Sequence, residues 1–327
     1  MTSGGSRGFL LVAMGAALWG TAGIAGAFAA RYSSLSWPAI SSVRLLLGGL
    51  LMLVLTAITG ELRRVQRTAE SVRRIVATGV ATAIYATAYF QSLPLVGVAV
   101  ATVVCLGAAP MAVAVYTAIR ERRMPSRPTM LALLAALTGL VLVSNPSTPT
   151  GDHRGFALGF ALALLSGLAF AASTVVNQRT VPGLTPRPLI ATSLTLAGLL
   201  SAPLGMLGGA DFTTVTAPAW AAIAFLVIFQ TMVAYLAYFG GLQAGLPATT
   251  AVIVLLIEPL TATVLAVLVL HEQLTLPVLL GMVLLMLAVV LVSPVRRNRA
   301  GRRSRAGRRN QARSVSRARR TAREKSG

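Results

Sequence analysis

A single cysteine, Cys105, excludes a disulfide within the chain and a thiolate metal site. Histidine is nearly as scarce, with only His153 and His271. His271-Glu272 is not followed by the second histidine that a zinc-protease helix needs. There is no Gly-x-x-x-x-Gly-Lys loop to cradle a phosphate, which argues against ATP hydrolysis by this chain. No metal, cofactor or enzymatic activity is expected. Charge is the largest deficit. Charged residues make up 11% of the chain, against about 25% in a soluble domain. Such a chain cannot cover a water-facing surface.

In place of charge there are apolar runs. Hydrophobic residues reach 55%, and the mean hydropathy is +0.76. A helix needs about 20 apolar residues to cross a bilayer core. About ten such runs occur, near 8–30, 38–60, 75–93, 97–119, 128–145, 155–177, 187–208, 217–240, 247–270 and 276–294. They are continuous and rich in Ala, Leu and Gly. The period-2 alternation of a membrane β-barrel is missing. The expected fold is therefore an all-α membrane protein with ten transmembrane helices and short loops. Ala13, Gly15, Ala16, Ala17, Gly20, Gly23 and Gly26 supply small residues for close helix contact. Arg7, the run after it and Ala27-Phe28-Ala29 mimic a signal peptide, but the run is long enough to span and reads as an uncleaved first helix. Cys105 falls within the fourth run, where a small buried hydrophobe is expected.

The chain repeats itself. Ala88-Tyr89-Phe90 returns as Ala237-Tyr238-Phe239, an offset of 237 − 88 = 149 residues. The same offset pairs Leu93 with Leu242, Ala99 with Ala248, Val103 with Val252, Leu106 with Leu255, Pro110 with Pro259 and Ser144 with Ser293. This reads as one five-helix unit written twice, over 8–145 and 155–294. Five is odd, so the second unit must begin on the opposite side of the membrane and run inverted.

Arginine sets the orientation. The loops near 61–74, 120–127 and 178–187 carry Arg63, Arg64, Arg67, Arg73, Arg74, Arg120, Arg122, Arg123, Arg127, Arg179 and Arg187. The alternate loops hold little beyond Arg31 and Arg154. Positive loops stay inside, which places both termini in the cytoplasm and the protein in the cell membrane. Arg120-Glu121-Arg122-Arg123 ends the fourth run inside, whereas its counterpart His271-Glu272-Gln273 ends the ninth outside without arginine.

Residues 295–327 form a basic, aromatic-free tail holding about half of the 29 basic residues. Without apolar periodicity it is expected to be disordered. A solvated cytoplasmic tail that helps set topology is the plain reading. Attraction of Arg296 to Lys325 to anionic lipid headgroups is the second. Nucleic-acid binding ranks last, since no folded module accompanies the charge.

Charges inside the runs carry the functional signal. Glu258 lies near the middle of the ninth run, before Pro259. A charge there costs roughly 2.5–3.5 kcal/mol on insertion scales, so it must meet a cavity, a donor or a proton. The proline frees a carbonyl one turn earlier. A substrate or proton site is one reading, and a protonated carboxyl bonding a neighbouring helix is the other. Arg44, in the second run, could bind a carboxylate, pair with Glu258 or snorkel to the interface. Trp19, Tyr85, Tyr89, Gln230 and Tyr238 offer rings and hydrogen bonds along a substrate pathway, and Tyr85 and Gln230 lie too deep for an interfacial belt. Thr102, Pro110 and Pro259 complete the expected pathway, although Thr102 could simply bond its own helix.

These features resemble the drug/metabolite transporter superfamily, in its members with two EamA domains. The resemblance covers residues 8–294. It rests on Ala17-Leu18-Trp19-Gly20, on the arginine of Ser42-Val43-Arg44-Leu45, on Pro110 and Pro259, and on the helix ends Glu121-Arg122 and Glu272-Gln273. The last departs from the family in lacking its arginine. The resemblance implies ten helices around a central cavity, lined by the first four helices of each repeat. The fifth and tenth would be peripheral and often in homodimer contacts. It implies export of a small-molecule substrate, such as an amino acid or related compound or a drug-like molecule, by alternating access. Proton coupling through Glu258 is an added expectation. The competing reading is a membrane scaffold or receptor whose basic tail recruits partners or lipid.

Overall fold

The computed structural model describes residues 3–144, 153–207, 211–270 and 275–292. The basic tail at 295–327, the His271-Glu272-Gln273 helix end and the junction at 145–152 lie outside the described residues. Every element is helical, with no β-strand among the described residues beyond an isolated bridge between Val181 and Leu184.

Helix α1 (Ser3–Gly20) passes into α2 (Ala22–Arg31) through Thr21, whose amide and hydroxyl both turn back to the Leu18 carbonyl. Helix α3 (Trp37–Ile58) starts on Ser36, whose hydroxyl accepts from the Ala39 amide, with Pro38 in its first turn. Helix α4 (Ala69–Glu121) is capped by Thr68 in the same manner and closes at Arg122, whose φ of 50° is left-handed. Helices α5 (Arg127–Ser144), α6 (His153–Asn177) and α7 (Pro186–Leu207) follow. Then come α8 (Ala217–Phe225), a π-helical segment (Leu226–Val233) and α9 (Ala234–Gln243) in one line. Helices α10 (Ala248–Val254), α11 (Ile257–Leu270) and α12 (Leu276–Val292) complete the chain.

Among the described residues, seven stretches are long and apolar enough to cross a membrane, and two shorter apolar helices, Arg127–Val143 and Leu276–Val292, accompany them. The irregular turn expected near 94–97 is absent, because helical structure runs through it. The axis nevertheless folds back there. Tyr89 Oη lies 2.8 Å from Thr102 Oγ1, yet 13 residues of straight helix would separate them by about 20 Å. Pro94 falls in this interval and has no amide hydrogen to extend the ladder.

Burial is inverted relative to a water-soluble protein. Leu10, Ile58, Leu134 and Val283 are each more than half exposed, whereas Arg44, Gln230, Asn177 and Ser166 are buried. An apolar exterior around buried polar groups suits a lipid solvent.

The close contacts of α3 and α7 obey the 149-residue offset. A Cβ at Gly49 would collide with the Thr195 amide, and a Cβ at Gly198 would lie 2.5 Å from Leu46. Since 49 + 149 = 198 and 46 + 149 = 195, the two contacts are one contact written twice across the α3–α7 seam. Helices α5 and α12 also approach closely, each of Gly139 and Gly281 facing the other's carbonyl, but at a separation of 281 − 139 = 142 that departs from the offset.

The bundle is tied at both ends of α3, whose 22 residues span about 33 Å. Before α3, Ser34 Oγ and Thr214 Oγ1 are 2.6 Å apart, and Thr216 Oγ1 donates to the Tyr32 carbonyl at 2.8 Å. Beyond α3, Arg187 Nη1 donates to Glu61 Oε1 at 2.6 Å, Arg74 donates to the Arg179 carbonyl, and Gly183, at φ 73°, packs on Gln66.

Candidate functional site

Pro259 shapes the site. Without an N–H it cannot bond the Leu255 carbonyl one turn back. The Glu258 amide takes that carbonyl instead, at 2.8 Å, and the helix breaks between Val254 and Ile257. Glu258 therefore occupies the first turn of a new helix, α11, where the amide end of the helix favours a negative side chain. Pro110, the partner of Pro259 at the offset, leaves α4 uninterrupted.

Glu258 lines a narrow cavity with Trp19, Tyr85, Cys105, Ala109 and Phe170. Leu106, Val252, Leu255 and Leu256 complete the wall. Three rings bound it: Trp19 and Phe170 meet edge-on with centroids 6.0 Å apart, and Tyr85 is tilted against Phe170 at 5.2 Å. Gly20 allows this closure, since a Cβ there would sit 2.6 Å from the Glu258 carbonyl. Among the described residues the Glu258 carboxylate has neither a hydrogen-bond nor an ion-pair partner; their one ion pair is Arg187–Glu61.

Two of the three roles open to Arg44 from the sequence are not seen. It is buried rather than snorkelled, and it makes no ion pair with Glu258. Its Nη1 donates to Gln230 Oε1 at 2.6 Å, with Thr231 Oγ1 at 3.5 Å. Gln230 sits in the π-helical segment, a geometry that frequently marks functional positions. Its backbone carbonyl accepts the Trp19 indole N–H at 3.0 Å. Arg44 is therefore not among the lining residues, and its hydrogen bonds lead to the cavity through Gln230 and Trp19.

The remaining expected residues lie off the cavity lining. Tyr238 is fully buried behind Trp19, with centroids 5.3 Å apart, and its hydroxyl pairs with Thr174 Oγ1 at 2.7 Å. Tyr89 and Thr102 bond each other at the fold of α4, away from the cavity wall. Pro110 and Pro259 are buried beside the wall without forming it.

Phe170 was not singled out by the sequence, being one of 10 phenylalanines, nine of them in apolar runs. Cys105 likewise read as plain filler. Cys105 is buried, but its Sγ lies 3.3 Å from Ser166 Oγ, which donates to the Tyr85 carbonyl at 2.9 Å. This chain of bonds ties α6 to both arms of α4.

The family model of the EamA-like transporter family matches residues 6–145 and 157–293, two copies end to end. The chain belongs to the EamA-like transporter family. This EamA-like chain is also 30% identical to the uncharacterized transporter YwfM of Bacillus subtilis (strain 168), over 89% of its own length and 95% of that protein. It is 25% identical to the uncharacterized inner membrane transporter YicL of Salmonella typhimurium, over 90% and 97% respectively. One solved crystal structure superposes with a TM-score of 0.75 at 18% identity, covering 90% of this chain and 98% of the other. That likeness concerns fold alone. Family and hydropathy together make this a multi-pass membrane protein with two EamA repeats, of a transporter family.

Proposed function

We propose that the chain is a secondary active transporter that exports a small metabolite by alternating access. Its ten crossings would be two five-helix repeats of opposite orientation, with both termini cytoplasmic. The reading is carried by the two ties at opposite ends of α3. Each joins the loop before the second helix of one repeat to the loop after the second helix of the other. The offset relates them, since 34 + 149 = 183 places Ser34 on Gly183, and 66 + 149 = 215 places Gln66 beside Thr214. Two equivalent closures around one cavity are what alternating access requires, one opening while the other holds. The arginine-rich closure, with Glu61 and Arg187, is assigned to the cytoplasmic side. The two differ in chemistry, one ionic and one made of hydroxyls.

Glu258 is the proposed coupling group. Among the described residues it is the one acid on the cavity wall, and it has no hydrogen-bond or ion-pair partner there. The titratable neighbours sharing that wall are Tyr85 and Cys105, while Arg44 is held by Gln230. A carboxyl in this position can exchange a proton for substrate. The tail from Arg296 to Lys325 is proposed to meet anionic headgroups of the same membrane.

The test begins with metabolite profiles, inside and outside, of cells with and without the protein. The compound depleted inside and enriched outside is then taken to proteoliposomes. Saturable flux with counterflow exchange is expected. Flux that never saturates and shows no exchange would replace the transporter reading with a channel.

A further inference from the structure

We infer that the cavity selects a cationic amphipath, a molecule with one ammonium group on an aromatic or apolar body, over carboxylate-bearing and zwitterionic relatives. The inference rests on the transporter reading and names its substrate class. Two features of the wall carry it.

The first is charge. Glu258 is the sole ionisable side chain on the wall that is negative when ionised near neutral pH, and its carboxylate is unpartnered among the described residues. The positive group that could have served a carboxylate, Arg44, is absent from the wall. Its guanidinium is committed to Gln230 Oε1 at 2.6 Å, and the Trp19 indole, anchored on the Gln230 carbonyl, stands on the cavity side of that bond. An anion entering the cavity would meet Glu258 with no cation on the lining itself. A zwitterion would leave its carboxylate among Leu106, Val252 and Phe170, a costly burial.

The second is the set of rings. Trp19 meets Phe170 edge to face and Tyr85 is tilted against Phe170, all three on the same wall as Glu258. Ring faces attract ammonium groups, and more strongly where water is excluded. The apolar remainder of the wall accommodates an apolar body. A carboxylate, aromatic faces and an otherwise apolar lining together make a cation receptor, as in aromatic cages for quaternary ammonium.

The experiment uses the full chain in lipid nanodiscs, with Trp37 and Trp220 replaced by Phe so that Trp19 alone reports by fluorescence. Both replaced residues lie on the exterior, 41% and 43% exposed. The probes share one ring and differ in charge: 2-phenylethylamine, L-phenylalanine and phenylacetate. The amine is expected to quench Trp19 with at least about tenfold tighter binding than the other two. Glu258→Gln should remove that preference, and Phe170→Leu should weaken the amine while sparing the weak binders. Equal or tighter binding of L-phenylalanine or phenylacetate overturns the inference, as does an unchanged preference in Glu258→Gln. The wild-type ranking decides the matter even if a variant fails to fold. Proteoliposomes of the same protein separate the two readings. Amine binding without saturable amine flux upholds the cation site and overturns transport. Saturable flux of L-phenylalanine or phenylacetate in preference to the amine upholds transport and overturns the cation site.

Discussion

Ala109 and Glu258 stand 149 residues apart, each followed by a proline, and both line the same cavity. The repeat thus brings two equivalent positions onto one wall and gives a carboxylate to only one of them. The acid also has the better helix position. Glu258 lies in the first turn of α11, whereas Ala109 lies inside the second arm of α4, which Pro110 does not break.

That asymmetry can be tested by moving the acid. Glu258→Gln is expected to lower flux driven by a proton gradient at least about tenfold, or about 1.4 kcal/mol. Its residual flux should no longer respond to the gradient. Ala109→Glu added to Glu258→Ala should restore part of the amine binding lost in Glu258→Ala alone. Proteoliposome flux and Trp19 quenching measure the two effects. Full gradient-driven transport by Glu258→Gln would remove the acid from the coupling step.

Arg44 is expected to act by holding Gln230 rather than by touching substrate. A double-mutant cycle with Arg44→Met and Gln230→Leu should give a coupling of about 1.5–3 kcal/mol, the range for hydrogen bonds to charged groups. Each single variant should also shift the Trp19 emission, because the indole N–H rests on Gln230. A coupling near zero in a reversible unfolding assay would contradict this role.

The two end closures should respond in opposite senses. Cysteines at Ser34 and Thr214, in a background with Cys105→Ala, are expected to crosslink and lock the hydroxyl closure. Accessibility should then rise at the Glu61–Arg187 end. Glu61→Gln alone should shift the population only slightly, because an exposed ion pair contributes roughly 0–1 kcal/mol. Thiol labelling from each face of oriented vesicles reads both outcomes.

The α3–α7 seam should reject side chains. Gly49→Val is expected to destabilise by about 1–3 kcal/mol, since the group it meets is the backbone at Thr195 and cannot rotate away. Gly23→Ala should be near neutral, because nothing lies within 4 Å of its Cβ position. Midpoints of unfolding in mixed micelles compare the two.

At the hydroxyl closure, Asp211 accepts from the Thr213 hydroxyl at 2.6 Å and from the Thr213 amide at 3.0 Å. These bonds hold its carboxyl below the usual range. A depressed folded value means that the contribution to the turn is present above the unfolded value of about 3.9 and is lost as pH falls through the folded one. Amide exchange at Thr213 should therefore accelerate below about pH 4 beyond its ordinary pH dependence, and Asp211→Asn should flatten that extra rise.

Much of this molecule was legible as text. Continuous apolar runs dictate helices in lipid, because every backbone polar group must be satisfied within its own segment. The 149-residue echo announced the repeat, and the structure then showed Gly49 and Gly198 making equivalent contacts across the seam, since equivalent segments packed about one axis do so. Glu258 and Pro259 announced themselves as an acid and a broken ladder inside an apolar run. The destination of Arg44 was not legible. A guanidinium deep in a helix can seek lipid headgroups, a carboxylate or an amide, and only the placement of the π-helical segment brings Gln230 within 2.6 Å of it. Phe170 was equally silent, because an apolar ring in an apolar helix gains its role only from what faces it. The chain by itself determined the solvent, the helices and the repeat, which follow from local composition and period. The tertiary structure alone decided that Glu258 faces rings without a partner while Arg44 does not face Glu258. Pairings between side chains some 200 residues apart depend on which helices touch and at what rotation, and neither is encoded locally.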